Sequence, residues 1–333
     1  MSGRIVFVTG GAGFIGSNIV ARLAADPDLE VVACDRLGEA ASGKWRNLAK
    51  HPIADLMTPE AMWPWLERRG RDVDVVIHMG AISSTTEADA DLVMATNFGL
   101  SRDLFGWCAH HRRRFIYASS AATYGDGSLG FDDTLDWQAL AALRPLNTYG
   151  WSKALFDVFA ARQAAGGHAP PQWAGLKFFN VYGPNEGHKG PMRSVASQIW
   201  QDVAAGRPAR LFRSGDPAWP DGGQKRDFLY VDDAADVVAW LVDHPEVNGV
   251  FNLGSGAARS FKDLAEAVFR AAGREAAIEY IEMPSTLADR YQYFTQARME
   301  RLRQAGYGRA FTTLEDGVAD YVGRYLSRPD PHR

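Results

Sequence analysis

Short runs rich in Val, Ile and Phe alternate with longer amphipathic stretches through the first half of the chain. IVFVTG (5–10), VVACD (31–35), VDVVIHMGA (73–81), FIYASS (115–120) and GLKFFNVYG (175–183) predict strands, and several of them end in Gly, Ser or Asp. Between them, 14–26, 59–70, 90–111 and 148–164 have helical spacing. Strand–helix alternation predicts an α/β fold, a doubly wound parallel sheet with helices on both faces. In such sheets ligands bind outside the carboxyl ends of the strands. The second half is less regular. RSGDPAWPDGGQ (213–224) reads as a loop, FLYVDDAADVVAWLVDH (228–244) as a short strand or turn and then a helix, and GVFNLGSG (249–256) as a strand ending in glycines. We expect a dinucleotide-binding domain over 1–178, rejoined by 229–255, and a smaller α/β C-terminal substrate lobe over 179–228 and 256–330. No internal repeat or low-complexity tract is present.

Composition narrows the class. The chain has 333 residues, 46% hydrophobic and 23% charged, with a net charge of −4. That balance argues against a nucleic-acid partner, which needs a strong basic bias. The one basic cluster, HHRRRF (110–115), reads as a helix C-terminus, where cations suit the macrodipole. Cys34 and Cys108 stand far apart in no metal spacing, which fits a reducing compartment, and no metal cluster is evident. The chain starts directly on RIVFVTGG with no basic and apolar leader, and no apolar run is long enough to span a bilayer. The expectation is a cytoplasmic protein with no membrane partner.

The first chemical motif is VTGGAGFIGSNIV. Gly11-x-Gly13-x-x-Gly16 fits the dinucleotide fingerprint, and Gly10-x-x-Gly13-x-x-Gly16 its short-chain variant. It follows the first strand and opens a helix, so backbone amides at the helix start, with Phe14 and Ile15 beside them, can hold a pyrophosphate. The Gly-Lys-Ser/Thr ending of a triphosphate loop is missing. Asp35 ends the second strand at about the ~20-residue distance expected of the ribose ligand, which suits NAD. Arg36 follows it, and Lys44 lies in SGKWRN. Those cations would suit the 2′-phosphate of NADP. The reading favours NADP and leaves NAD open. Such a glycine loop in this setting predicts a Rossmann sheet.

The second motif is NTYGWSKALFDVF. Tyr149 and Lys153 are four apart at a helix start, which puts them on one face with Cβ atoms roughly 5–6 Å apart. A phenol with a pKa of about 10 must fall by ~3 units to act as a base near neutrality. An adjacent ammonium and a nicotinamide cation both act in that direction. Lys153 can also hold the nicotinamide ribose. YASSAATYG adds Ser119 and Ser120 at a strand end, where a hydroxyl can bind a substrate oxygen.

TGGAGFIG, YASSAATYG, YGWSK and KRDFLYVDD resemble the extended short-chain dehydrogenase/reductases, which act on nucleotide sugars with a tightly held nicotinamide. The resemblance implies Tyr149 as acid/base, Lys153 as its helper, Ser120 as the hydroxyl partner, and a C-terminal lobe for the sugar nucleotide. Narrower words, SSTTE (83–87), NVYGPNEGHKGPM (180–192) and RYQYFTQA (290–297), resemble the ADP-L-glycero-D-manno-heptose 6-epimerase family nearly end to end. That family implies an ADP-heptose substrate inverted at C6″ in lipopolysaccharide core biosynthesis, and a homo-oligomer, possibly a pentamer. It also implies Lys189 as a second acid/base. The chemistry explains why one is wanted. Inversion by transient oxidation needs hydride to leave one face and return to the other, so the ketone must turn over within the site. One fixed tyrosine cannot serve both poses, and a second proton carrier can. The alternative for Lys189 is electrostatic binding of the substrate diphosphate.

Other positions follow from the same resemblance. Met79, Gly80, Ala81 and Ser83, with Asn97 in MATNFG and Val181, would line the cofactor, and Ser84, Asn180, Gln198, Phe212, Ser214, Arg226 and Tyr291 would line the substrate. Arg226 would hold the diphosphate; its alternative is an ion pair with Asp227 or Asp232. The chain departs from the family at Pro191, where serine is common, at Gln198, where histidine is common, and in the longer 213–224 loop, which would cover the site or serve an oligomer contact. His78 reads as a core histidine, and Trp63, Trp65, Trp107 and Trp240 as packing residues. Two rival functions remain: another nucleotide-sugar 4-epimerase or 4,6-dehydratase, and a non-catalytic dinucleotide sensor. SSAAT lacks the Asp-Glu pair a dehydratase uses, and a sensor would have no need of the Tyr-Lys pair.

Overall fold

A computed structural model describes residues 3–85, 87–133, 136–284 and 291–333. Thr86 of the SSTTE word and Arg290 of RYQYFTQA lie outside the described residues. The strands are β1 (Arg4–Thr9), β2 (Leu29–Cys34), β3 (Asp55–Met57), β4 (Val73–His78), β5 (Arg114–Ser120), β6 (Trp173–Phe178), β7 (Asn180–Tyr182), β8 (Ala209–Phe212), β9 (Lys225–Tyr230), β10 (Gly249–Leu253), β11 (Ala258–Ser260) and β12 (Ile278–Ile281). The helices are α1 (Phe14–Leu23), α2 (Pro59–Arg69), α3 (Ala90–Val93), α4 (Leu100–His110), α5 (Trp137–Ala142), α6 (Thr148–Ala165), α7 (Val195–Ala204), α8 (Val231–Asp243), α9 (Phe261–Ala271), α10 (Glu300–Gln304) and α11 (Leu314–Tyr321).

The main sheet is parallel throughout, in the order β10-β6-β5-β4-β1-β2-β3. Its strands are apolar at successive positions because both faces are covered. Val6 and Val8 of β1 pack with Ile19, Val20 and Leu23 of α1 and with residues of α8. Ile5 and Phe7 face the other way, onto Met62, Trp65 and Leu66 of α2 and Leu104 and Phe105 of α4. The strand order reverses between β1 and β4, and a crevice opens there beyond the strand ends. A smaller lobe holds the sheets β11-β9-β7 and β12-β8. Its core comes from α7, α9 and α11.

Three departures from the expected elements have local causes. The strand expected over 175–183 is two strands in two sheets. The Phe179 amide donates to the Leu253 carbonyl of the main sheet, and one residue later Asn180 pairs with Phe228 of the small one. Both halves are apolar, so hydropathy alone joins them. The helix expected over 90–111 carries a π turn at Met94–Gly99. Asn97 lies in that turn, and its side chain accepts from the Ile82 amide at 2.8 Å and donates to the Ile82 carbonyl at 3.0 Å and to Ser152 Oγ at 3.1 Å. The strand expected to reach residue 81 stops at His78, and Met79, Gly80, Ala81 and Ser83 become cleft wall.

His78 is a core residue. Its ring lies 2.6 Å from Thr9 Oγ1 and 2.9 Å from Ser101 Oγ, and burial pushes its pKa down to about 3. Cys34 is buried too, its thiol pushed up to about 12 by burial and by the neighbouring Asp35. In the basic cluster, Arg114 turns inward to Asp74 and donates to the Val242 carbonyl at 2.7 Å.

Candidate active site

The glycine loop turns between β1 and α1. Gly10 has φ +67°, and a Cβ on Gly16 would stand 2.1 Å from the Gly10 carbonyl oxygen, so the helix can start this close only without a side chain there. The N-cap is Gly13 and offers no capping side chain. The first-turn amides are therefore free of side-chain competition, the arrangement that holds an anion at a helix start. These features fit a dinucleotide pyrophosphate.

At the end of β2 the Asp35 carboxylate accepts from the Ala12 amide at 3.0 Å and from Lys44 Nζ at 2.7 Å. The carboxylate expected to meet the ribose thus has a cation already beside it. The Arg36 carbonyl accepts from Lys44 Nζ at 2.7 Å, but its side chain does not join them; it is exposed, and its guanidinium pairs with Glu60.

Gly10, Gly13, Phe14, Ile15, Gly16, Asp35, Lys44, Met79, Gly80, Ala81, Ser83, Tyr149, Lys153 and Lys189 line one cleft of about 250 Å³. Of the residues read as cofactor-binding, Arg36, Asn97 and Val181 stand off it. Asn97 acts from behind by holding the 82 backbone, and Val181 packs into the main core. Three lining residues went unread, Ala118, Phe178 and His188, and Ser119, read as offering a hydroxyl to a substrate oxygen, lines the cleft with them. Ala118 lies near the end of β5 and Phe178 ends β6, a placement that strand order would have suggested. His188 sits in the quoted GHKG word.

Tyr149 and Lys153 come from the first turns of α6, which Asn147 caps by accepting from the Gly150 amide at 2.8 Å. A Cβ on Gly150 would meet the Ala122 carbonyl at 2.7 Å, so the helix start sits hard against the turn after β5. That contact brings the phenol to Ser120, whose hydroxyl is its hydrogen-bond partner. Lys153 Nζ donates to the Ala118 carbonyl at 2.8 Å. Burial raises the Tyr149 pKa, and the Ser120 hydroxyl opposes it. Burial brings Lys153 down to about 8, against the carboxylate of Asp157.

Lys189 reaches the cleft on a loop held at both ends. Asn185 takes φ +72°, a conformation asparagine tolerates, and donates to Ser17 Oγ at 3.0 Å while its carbonyl accepts from Asn47 at 3.1 Å. Buried Glu186 accepts from Ser194 Oγ at 2.6 Å and from the Tyr321 hydroxyl at 2.9 Å. Lys189 Nζ lies over the Phe14 ring, 5.3 Å from its centre. Burial lowers its pKa and Glu186 opposes the shift. His188 beside it is held at about pKa 4 by burial and by the charges of Lys44 and Lys189.

The residues read as substrate contacts divide. Arg226 on β9 is buried, sandwiched between Tyr291, 5.1 Å away, and Phe261, 5.6 Å away, and donates to the Lys225 carbonyl at 2.9 Å. The ion pairs weighed for it do not form. Asp227 accepts from Ser255, Gly256 and Ala297, and Asp232 pairs with Arg333. A buried guanidinium with no carboxylate partner among the described residues suits a diphosphate. Phe212 meets the edge of Tyr291 at 6.5 Å. Asn180 is exposed at the start of β7, and Ser84 follows Ser83 on the cleft loop. Gln198 and Ser214 bond nearby backbone. Gln198 donates to the Pro191 and Arg193 carbonyls at 3.3 and 2.8 Å. Ser214 donates to the Asp216 carbonyl at 2.7 Å. The 213–224 loop lays Trp219 over Tyr293 and Phe294, 6.4 Å from each.

Residues 6–254 match the model of the NAD dependent epimerase/dehydratase family. The chain is 50% identical to ADP-L-glycero-D-manno-heptose-6-epimerase of Nitratidesulfovibrio vulgaris, over 98% of this chain and 99% of that one. It is 41% identical to the protein of the same name from Fusobacterium nucleatum, over 98% and 100%. Among solved structures it is similar to the ADP-L-glycero-D-manno-heptose-6-epimerase of Helicobacter pylori, with a TM-score of 0.79 and 26% identity over 97% of this chain and 96% of that one.

Proposed function

We propose that this chain, which belongs to the NAD dependent epimerase/dehydratase family and within it to the ADP-L-glycero-D-manno-heptose-6-epimerases, inverts C6″ of ADP-D-glycero-D-manno-heptose by transient oxidation to a ketone and re-reduction. The observation that carries this reading is a pair of proton-carrying side chains on separate elements, Tyr149 on α6 and Lys189 on the loop after β7, lining one dinucleotide cleft. A nicotinamide bound there supplies reversible hydride acceptance. The protein does the rest. Tyr149, aligned by Ser120, takes and returns the proton of the C6″ hydroxyl in one pose. Lys153 supplies positive charge beside it and a ribose contact. Lys189, whose depressed pKa makes a neutral amine accessible, serves the hydroxyl in the other pose. Arg226 and its two rings hold the diphosphate, so that the sugar end is the part that turns.

The Asp35–Lys44 pair favours NADP. Lys44 neutralises the carboxylate that would repel a 2′-phosphate and adds a cation for it. The enzyme is read as cytoplasmic and homo-oligomeric; no helix among the described residues is long and apolar enough to cross a membrane. Elimination, as in a dehydratase, has no acid to work with just after Ser120, where Ala121 and Ala122 stand.

The test incubates purified protein with ADP-D-glycero-D-manno-heptose and no added reductant, and separates the C6″ epimers by chromatography. A steady mixture with no net change in nicotinamide absorbance is expected. Unchanged substrate with cofactor bound would overturn the assignment.

A further inference from the structure

Behind the cleft wall lies a charged pair that the reaction scheme does not use. Asp157 follows Lys153 by one helical turn on α6, and Lys177 is on β6; both are fully buried. Lys177 Nζ is 2.6 Å from Asp157 Oδ2 and 2.6 Å from Thr123 Oγ1, and stands 4.9 Å from the centre of the Tyr124 ring. Asp157 also accepts from Ser119 Oγ at 2.7 Å and from the Tyr117 hydroxyl at 3.0 Å. Four pieces of chain meet on this pair: the end of β5, the turn after it, β6 and α6. A buried ion pair is poor value for stability alone, since apolar residues of similar volume often do as well. What this one joins is the Ser119–Ser120 strand end to the helix that bears Tyr149 and Lys153.

We propose that Asp157 and Lys177 are positioning residues for the reaction: the pair locks that strand end against α6, and the Asp157 carboxylate keeps the buried Lys153 in its charged form. This rests on the reading of Tyr149 and Lys153 as acid/base and helper. The groups facing Lys153 leave Asp157 as its one anion among the described residues. On β4, His78 is neutral. On β5 the contact is the Ala118 carbonyl, with Tyr117 a neutral phenol bonded to Asp157. On α6 the neighbours are Tyr149 and Asp157, and on β6 Lys177 faces Asp157. With Lys153 at about 8, loss of its charge shapes the alkaline limb of the rate profile. Removing the carboxylate moves that limb to lower pH.

Three variants test this by the pH dependence of epimerisation, with kcat and KM resolved and the folded state checked by thermal melting. The double variant Asp157→Asn/Lys177→Met removes both charges and strands neither. It should lower kcat about ten- to hundred-fold with KM little changed, and shift the alkaline limb down by less than loss of the carboxylate alone would, because the Lys177 charge leaves with it. Asp157→Glu keeps the charge and should leave the limb in place. Ser119→Ala cuts one link and keeps the pair; kcat should fall several-fold with the limb unmoved. A folded double variant with native kcat and a native limb overturns the proposal. Should the double variant not fold, a native kcat in Ser119→Ala overturns it. Full activity in Tyr149→Phe and Lys153→Met would instead sink the underlying reading of the site.

Discussion

Gly16→Ala is the sharpest test of the cofactor seat. The added methyl would stand 2.1 Å from the Gly10 carbonyl oxygen, against a floor of 3.0 Å for real Cβ contacts. Neither partner is a flexible side chain. One is backbone of the turn and the other is the first turn of α1, so relief means moving the helix start away from the loop by about an ångström. Overpacking of this kind costs about 1–3 kcal/mol. The loop that must shift is also the loop proposed to seat the pyrophosphate, so on that reading much of the cost should fall on binding. At about 1.4 kcal/mol per tenfold, the NADPH Kd should rise about ten- to hundred-fold. The assay is titration of NADPH fluorescence against purified protein, with the melting temperature of the cofactor-free protein measured beside it. Gly106→Ala is the control. It lies exposed on α4 with nothing within 4 Å of a new Cβ. It should leave Kd alone and add about 0.5–1 kcal/mol of stability. A Gly16→Ala protein that binds NADPH with native affinity would show that the loop does not seat the dinucleotide.

Four further outcomes are expected. Tyr149→Phe and Lys189→Met should each lower kcat by at least about a hundred-fold; a Lys189 variant that raises KM and keeps kcat would reduce that residue to a binding role. Arg226→Gln should raise the substrate KM about ten- to hundred-fold with a smaller effect on kcat, and unaltered kinetics would place the diphosphate elsewhere. Lys44→Met should weaken NADPH by about tenfold and leave NADH nearly unchanged, as measured by parallel titrations; equal losses for both would remove the case for the 2′-phosphate. His188 is held neutral in the fold at about 4, below its unfolded value of 6.5. The fold therefore binds fewer protons than the unfolded chain, and this contribution to stability is complete above about pH 6.5 and lost as pH falls toward 4. Melting temperatures should fall less steeply over that window in His188→Asn than in the native chain, and parallel curves would contradict the assignment.

The features legible in the sequence were those whose partners lie close along the chain. The glycine loop, Asp35 at the end of β2, and Tyr149 with Lys153 four apart each declare themselves within a short window. What stayed hidden depends on distant pairing. Asp157 and Lys177 meet only because β6 lies beside β5 under α6, and although both stand in quoted words, NTYGWSKALFDVF and GLKFFNVYG, nothing in their spacing pairs them. β8, β11 and β12 are three or four residues long and exist through partners far along the chain. Arg36 and Lys44 look alike on paper; only the loop after β2 turns one to Glu60 and the other to Asp35. Gln198 and Ser214 stand at family positions, and only the fold shows the Gln198 amide nitrogen and the Ser214 hydroxyl donating to nearby backbone carbonyls. α9 was legible in principle, from the Ser260–Asp263 capping box and the apolar stripe Leu264, Ala265, Val268.

The passage from β6 to β7 at Phe179 limits how this molecule can move. Between the two sheets the chain has no slack there: the residue that ends one pairing is followed at once by a residue that begins the next. The return is as abrupt, since β9 runs into α8 at Tyr230–Val231 without a loop. At these two crossings any relative motion of the two lobes has to be taken up by backbone rotation at the element ends, since neither has a connecting loop. On the proposed reading, in which C6″ presents first one face and then the other to one hydride site, the swinging part would be the sugar, about a diphosphate proposed to sit at Arg226, between Tyr149 and Lys189.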